Sequence, residues 1–415
     1  MMNKIMDFMT NKFAPRVNKI VKNPWIASIQ DSIMTALPLV FVGSIITVVS
    51  LLNNFFDSLP DFSLISNFSF GMFGLVVSFL IPYYLMEKKG NSQKLITGST
   101  GLVLFMMLLY PTVNAKGDIT FTLERFGATG MFLAIITGLF VGCIMNFAAK
   151  HSFFDEDTPI PDFVVGWFNS LLPITFLLLI GWLITVQFNV DFFEIVIYVF
   201  KPLAAIVQSY PGFVLSVFIP AFLYTFGISG WVMMPAIYPV YMAGLAENIQ
   251  AASNGQEATN IATQETIYAF SSMGGIGTTL ALAFMILILS KSAQLKAIGK
   301  AVFIPSIFNI NEPLMFGAPV AFNPYLMVPM WINGIIVPSI AYFAMSIGVV
   351  NIPTQSFLLW YVPYPITSYL ATQDWRAIIV AILVFVVTWL VFLPFFKAYD
   401  NSLLKKEAEE VETEG

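Results

Sequence analysis

One cysteine and one histidine in 415 residues leave little room for several kinds of chemistry. Cys143 has no partner for an internal disulfide, and no Cys/His spacing of the zinc-binding kind occurs. The thiol lies in the apolar run MFLAIITGLFVGCIMNFAA, where an inert core cysteine is expected, and no redox compartment follows from it. Charge is scarce too: Asp, Glu, Lys and Arg make up 10% of the chain, and no Lys or Arg occurs between Lys201 and Lys291. No nucleic-acid partner, metal or cofactor is expected.

Apolar side chains are abundant instead. They form 58% of the residues, with a mean hydropathy of +0.80, far from a soluble domain. The chain reads as an all-α polytopic membrane protein in contact with lipid. A spanning helix needs about 20 predominantly apolar residues. Ten stretches qualify, near 26–52, 68–87, 95–113, 128–149, 171–190, 207–228, 268–290, 324–347, 352–372 and 375–399. Two more, near 229–246 and 301–323, are broken by Gly and Pro and are expected as re-entrant hairpins, a form tolerated where protein or a water-filled cavity satisfies the backbone.

Lys and Arg collect in short cytoplasmic loops. Lys88, Lys89, Lys94, Lys150, Lys291, Lys296, Lys300, Lys397, Lys405 and Lys406 mark the inside, and the acidic loop LLNNFFDSLPDFSLISN faces out. Residues 1–25 carry five basic residues without a compact signal-peptide core, and read as a retained cytoplasmic amphipathic segment on the membrane surface. Residues 26–190 read as regular scaffold helices suited to dimer contact. Residues 191–206 form an interfacial connector with Asp191, Glu194 and Lys201 in water, and 207–399 hold broken helices that enclose a site. Residues 400–415 are a solvated cytoplasmic tail, to which the net charge of −5 owes much.

Between Lys300 and Asp374 the sole formal charge is Glu312, in FNINEPLMFGAPVAFNP. A carboxylate at bilayer depth costs on the order of 2.5–3.5 kcal/mol, so it faces a cavity or a partner. One reading is a helix cap, since Pro313 suits a first helical turn. The other is a carboxylate that accepts hydrogen bonds from a polyol in a pocket lined by Asn309, Asn311 and Asn323.

The same segment resembles the signature of the enzyme IIC permeases of the bacterial sugar phosphotransferase system, in the lactose/cellobiose/diacetylchitobiose family. LPLVFVGSII, IPDFVVGWFNSLLPI, SSMGGIGTTLAL, SKSAQLKAIGKAVFIPSIFNINEP and VPYPITSYLATQDWRA are similar in wording and order, over nearly the whole chain. The resemblance implies a homodimer in the bacterial plasma membrane with both termini cytoplasmic. Its first five helices form the dimer interface, and its later helices and two hairpins form a mobile substrate domain. It implies that Glu312 binds the sugar hydroxyl that is phosphorylated, with β-linked disaccharides as the substrates. The phosphoryl donor is a phosphocysteine on a separate cytoplasmic IIB protein, supplied by IIA, so the chain is the transporter component of a phosphotransferase and carries no donor cysteine of its own.

One departure bears on mechanism. Where the family has a histidine in FGIHG, this chain reads FGISGW, with Ser229 before Gly230 and Trp231. Serine donates and accepts hydrogen bonds but is no base near neutral pH. Glu312 then serves alone as base, the reaction relies on positioning, or a different sugar is bound. Trp231, Trp360 and Trp375 are candidate faces for a sugar ring, although Trp also collects at membrane interfaces. His151, beside Asp155, Glu156 and Asp157, reads as a solvated loop residue. The glycines of SSMGGIGTTLAL lack the lysine of a phosphate-binding loop and read as close packing. A proton-coupled secondary sugar transporter using Glu312 is the main rival class, and a non-transporting membrane receptor is the third.

Overall fold

The computed structural model describes residues 9–50, 60–151, 161–318 and 320–414. The described chain is predominantly helical and divides into two units, Ile20–Ala204 and Met1–Lys19 with Ala205–Gly415. Asp155, Glu156, Asp157 and Pro319 lie outside the described residues.

In the unit Ile20–Ala204, the helix Phe73–Lys88 lies among Pro24–Ser50, Lys94–Leu108 and Met131–Ala149. Glycine sets the spacing. Pro82 has no N–H to offer the carbonyl of Ser78, and Gly101 approaches that carbonyl so closely that a Cβ there would lie 2.5 Å from its oxygen. On the other side, a Cβ at Gly138 would lie 2.8 Å from Ile81 Cβ. Small residues allow this approach, and neither obstacle is a flexible chain end. Gly101→Val is therefore expected to lower the yield of monodisperse protein in detergent, at a cost of roughly 1–3 kcal/mol for overpacking; size-exclusion chromatography checks it.

The helix Lys94–Leu108 stops before Pro111, short of the expected end at 113, and the chain forms a small hairpin. Thr112–Val113 pairs antiparallel with Ile119–Thr120, and Asn114 Oδ1 accepts from the amides of Lys116 and Asp118, both at 2.9 Å. Further on, Arg125 donates to the Leu109 carbonyl (3.2 Å), pairs with Asp191 (2.8 Å) and Glu194 (3.2 Å), and stacks over the Phe193 ring. Of the connector residues expected in water, Glu194 and Lys201 are exposed, while Asp191 is half-buried in this clamp. Cys143 corrects another expectation. It is exposed on the outer side of Met131–Ala149, because Gly138, Val141, Gly142 and Met145 make the inner face. His151 is exposed, with Nδ1 2.9 Å from the Phe147 carbonyl.

In the other unit, Tyr210–Tyr224 packs on Pro324–Ser346, and the Tyr210 hydroxyl lies 3.0 Å from Ser339 Oγ. Pro324–Ser346 in turn runs antiparallel to Arg376–Glu414: the rings of Tyr325 and Tyr399 meet at one end, and Arg376 donates to the Gly348 carbonyl at the other. Asp400 accepts from the amides of Lys291 and Ser292, and Ser292 Oγ caps the helix Ala293–Ile307. Phe13, in the segment expected on the membrane surface, packs against the buried pair Phe226 and Met327.

Six described helices are long and apolar enough to cross a membrane, or seven if the bent pair Phe192–Gln208 and Tyr210–Tyr224 is one span. Two expected spans are not continuous helices. Residues 352–372 are irregular up to a short helix, Ile366–Thr372, because Pro353, Pro363 and Pro365 cannot donate. Residues 268–290 contain a turn with three left-handed glycines before the short helix Leu280–Leu289. The expected hairpin at 229–246 is instead a short 3₁₀ turn followed by the unbroken helix Met234–Ser253, whose Pro235 sits in the first turn where no donor is needed.

Asp374 precedes the last helix and binds Arg376 through both carboxylate oxygens, at 2.7–3.0 Å. Burial opposes its ionisation, but hydrogen bonds from the Arg376 side chain and from the amides of Arg376 and Asn351 outweigh that and hold the carboxyl below its usual range. A depressed carboxyl contributes stability that is complete above its unfolded value of 3.8 and is lost as pH falls through the lower folded value. Asp374→Asn is expected to lower the thermal midpoint at neutral pH, with the gap to wild type closing only below pH 3.8; unfolding scans at neutral pH and in strong acid test this.

Candidate functional site

Three turns meet around Glu312. The first follows Tyr210–Tyr224, where Gly227 takes φ +70° and its Cα faces the Phe322 ring. The Thr225 carbonyl accepts from the Phe322 amide at 2.9 Å, and Thr225 Oγ1 accepts from the Trp331 indole at 3.0 Å. The chain then reaches Ser229, whose exposed Oγ accepts from the Trp231 amide at 3.3 Å and caps the turn Gly230–Met233.

The second turn is glycine-rich. Gly274, Gly275 and Gly277 have φ of +75°, +98° and +85°, a region that side chains with a Cβ avoid. Thr279 Oγ1 donates to the Gly274 carbonyl at 2.6 Å, and Thr278 Oγ1 to that of Ser271 at 2.9 Å. Ile276 faces Gly230 so closely that a Cβ on Gly230 would fall 2.3 Å from its Cδ1.

The third turn carries Glu312. The helix Ala293–Ile307 ends with Asn309 at φ +61°, a left-handed position that asparagine tolerates, while the Ile310 amide returns to the Pro305 carbonyl. Asn309 is buried and bonds in three directions: Oδ1 accepts from the Gly274 amide (2.8 Å), and Nδ2 donates to the carbonyls of Trp360 (2.6 Å) and Val362 (3.0 Å). Asn311, also buried, donates to the Ile276 carbonyl (2.8 Å) and to Thr279 Oγ1 (3.1 Å). Both side-chain amides hold the loops together in this structure. Glu312 then opens the helix Glu312–Gly317 with Pro313 beside it in the first turn, and it is exposed. Asn323 Oδ1 accepts from the Tyr325 amide at 3.1 Å and caps Pro324–Ser346.

A cavity adjoins these turns. Gly230, Trp231 and Ile276 line it on one side, with Tyr238, Tyr241, Gln264, Tyr268 and Ser271 around the rest. Tyr241 donates to Ser216 Oγ at 2.6 Å, so its wall is partly ordered by its own polar groups. Ile276 connects the cavity to Asn311, and Gly230 connects it to Ser229. The arrangement offers an exposed carboxylate on a fixed turn, an exposed hydroxyl and an indole face beside a mostly apolar cavity. Such features suit a ligand with hydroxyls on its rim and an apolar face.

Residues 30–334 match the family described as "Phosphotransferase system, EIIC". The chain belongs to that family. It is an EIIC sugar permease and a multi-pass membrane protein. Among its relatives is the oligo-beta-mannoside-specific EIIC component of Bacillus subtilis (strain 168), 29% identical over 99% of this chain and 96% of that one. The cellobiose-specific EIIC component of Geobacillus stearothermophilus is 26% identical over the same shares. The lactose-specific EIICB component of Lacticaseibacillus casei is 28% identical over 98% of this chain and 72% of its own length. In fold, the chain is similar to the crystal structure of the transporter ChbC, the IIC component from the N,N'-diacetylchitobiose-specific phosphotransferase system, with a TM-score of 0.87, 24% identity, and coverage of 97% and 99%.

Within the EIIC chain, Trp375 is set apart from Asn323. It stands exposed between Asp374 and Arg376, at the end of Pro324–Ser346 opposite to Asn323. A helix of that length spans about 34 Å, and apolar sequence alone gave no sign of which end each motif would occupy. Trp360 contributes its carbonyl, to Asn309. Glu265 was not singled out from sequence, yet it is wholly buried, with Oε1 accepting from the Phe357 amide at 3.2 Å. Its neighbours Gln264 and Tyr268 line the cavity. The available signal was the polar quartet Thr263–Thr266 at the head of an apolar run.

Proposed function

We propose that this EIIC permease takes up a β-linked disaccharide such as cellobiose or diacetylchitobiose and presents it to a separate cytoplasmic phospho-IIB protein, recharged by IIA. The relatives specific for cellobiose and oligo-beta-mannosides support the substrate class. The observation that carries the reading is Glu312: an exposed carboxylate on a turn whose neighbouring asparagines bond the adjoining loops. In this reading the carboxylate accepts a hydrogen bond from the sugar hydroxyl that will attack phosphorus. Ser229 Oγ offers a further hydroxyl contact, Gly230 lets the turn approach Ile276, and Trp231 supplies a ring face. Ser229 cannot take the proton, so Glu312 is the base or the reaction rests on holding the hydroxyl in line with the phosphocysteine. Asn309, Asn311 and Asn323 keep the loops in place, and Trp375 plays no part beside Asn323.

The protein works as a homodimer, with residues 26–190 as scaffold and dimer interface, 191–206 as connector and 207–399 as the moving substrate domain. The exposed apolar residues Trp167, Phe168, Leu171 and Leu172 support a scaffold face for lipid or a second copy. Both termini are cytoplasmic, on the side marked by the lysine-bearing loops.

The test is uptake of radiolabelled cellobiose, diacetylchitobiose, lactose and glucose into vesicles, with and without a phosphorylated IIB. Accumulation of one sugar as its phosphate, only with phospho-IIB, is the expected result. Uptake of unmodified sugar driven by a proton gradient would replace this reading with the secondary-transporter one.

A further inference from the structure

Tyr224 closes the helix Tyr210–Tyr224 just ahead of the turn that bears Ser229. Its side chain is 6% exposed and packs in the core with Leu314, Met315 and Ala318, residues of the segment that begins at Glu312. Phe316 meets its ring edge-on at 6.1 Å between centroids. The hydroxyl oxygen is buried and has no hydrogen-bond partner among the described residues. A phenol in that condition is uncommon, because burying a hydroxyl without a partner costs free energy that a reachable acceptor would recover. Phe316 stands four residues after Glu312 in the helix Glu312–Gly317, so the ring that meets Tyr224 and the carboxylate share one helix face.

We propose that Tyr224 is a positioning residue for Glu312, its O–H donating to one carboxylate oxygen while the other receives the sugar hydroxyl. The inference rests on the reading of Glu312 as the sugar-hydroxyl acceptor. A carboxylate has capacity for both bonds, and an O–H···O⁻ bond is charge-assisted and short. In the sugar-free protein Glu312 is exposed, and water competes for its oxygens. Bound sugar displaces that water, and the drier surroundings strengthen the phenol's bond. Ser229 Oγ accepts from the Trp231 amide and keeps its own O–H for the sugar, whereas the Tyr224 hydroxyl has no such partner.

The experiment uses full-length protein in nanodiscs and whichever of radiolabelled cellobiose, lactose and N,N'-diacetylchitobiose the wild type binds. Tyr224→Phe removes one oxygen and keeps the ring. Sugar affinity is expected to fall about tenfold, the scale of a hydrogen bond to a charged group. The thermal midpoint without sugar should stay unchanged or rise, because the lost hydroxyl had no partner there. Opposite responses separate a positioning role from a structural one, which would lower both. The second readout is a sugar-induced shift of a tyrosine C–O infrared band, present in wild type and missing from Tyr224→Phe.

Wild-type affinity in Tyr224→Phe, a joint fall of affinity and midpoint, or no sugar-induced tyrosine band in the wild type would each overturn the proposal. Glu312→Gln that binds and supports phosphorylation like wild type would instead overturn the reading beneath it, as would binding of none of the three sugars.

Discussion

Glu312→Gln is expected to reduce phospho-IIB-dependent sugar phosphorylation by roughly 10²-fold or more, the range for loss of a positioned acid/base group, while the protein keeps its fold. The structure separates the two effects. The bonds that shape the turn belong to Asn309 and Asn311, and the Glu312 side chain is exposed, so an amide of the same size disturbs nothing that holds the loops. The loss is one of charge and of acceptor strength at the sugar. Glu312→Asp should also fail in large part, since an error of about 1 Å in placing a reacting group can cost 10²-fold. Phosphorylated product per unit of folded protein in reconstituted vesicles, with thermal midpoint as control, is the measurement. An active Glu312→Gln would show that the reaction does not need the charge of Glu312.

Gly275→Ala should act in the opposite manner, through the fold. At φ +98° a residue with a Cβ is strained, and the added carbon would fall 2.4 Å from Asn311 Cγ. Asn311 has nowhere to go, because its amide is held by the Ile276 carbonyl and Thr279 Oγ1. Strain and displacement together are expected to cost on the order of 2–4 kcal/mol, seen as a lower unfolding midpoint with sugar binding lost. Gly255→Ala is the matched control. Its φ of +70° is also left-handed, but nothing lies within 4 Å, so only the backbone strain of about 1 kcal/mol remains. If both variants unfold alike, the contact with Asn311 is not what fixes the turn.

Membrane character was legible in the sequence because apolar runs have to leave water, and a lone carboxylate among them is what drew attention to Glu312. The family resemblance was legible through FNINEP and the motifs around it. What the sequence hid was the use of each polar group. Asn309 and Asn311 read as ligands for a polyol, and in the structure their side chains bond backbone groups and the Thr279 hydroxyl of segments distant in sequence. Residues 352–372 passed as a span because hydropathy sums side chains, while three prolines decide the backbone. Cys143 looked internal because its whole helix is apolar, and in a membrane protein the outer face is as apolar as the inner one. Glu265 was passed over because a charged residue at the edge of an apolar run reads as a boundary, whereas the fold draws that boundary into its interior.

The three-way bonding of Asn309 also bears on how such permeases can be recombined. Its amide ties residue 309 to backbone at 274, 360 and 362, so the loop is one part of a discontinuous module. A chimaera that imports residues 308–312 from a relative with another sugar would bring the asparagine without the amide and carbonyls shaped to receive it. Exchange of preference between EIIC chains should then succeed only when the glycine-rich turn, the Asn309 loop and the segment around 360–362 travel as a set, and the useful crossover points lie outside all three.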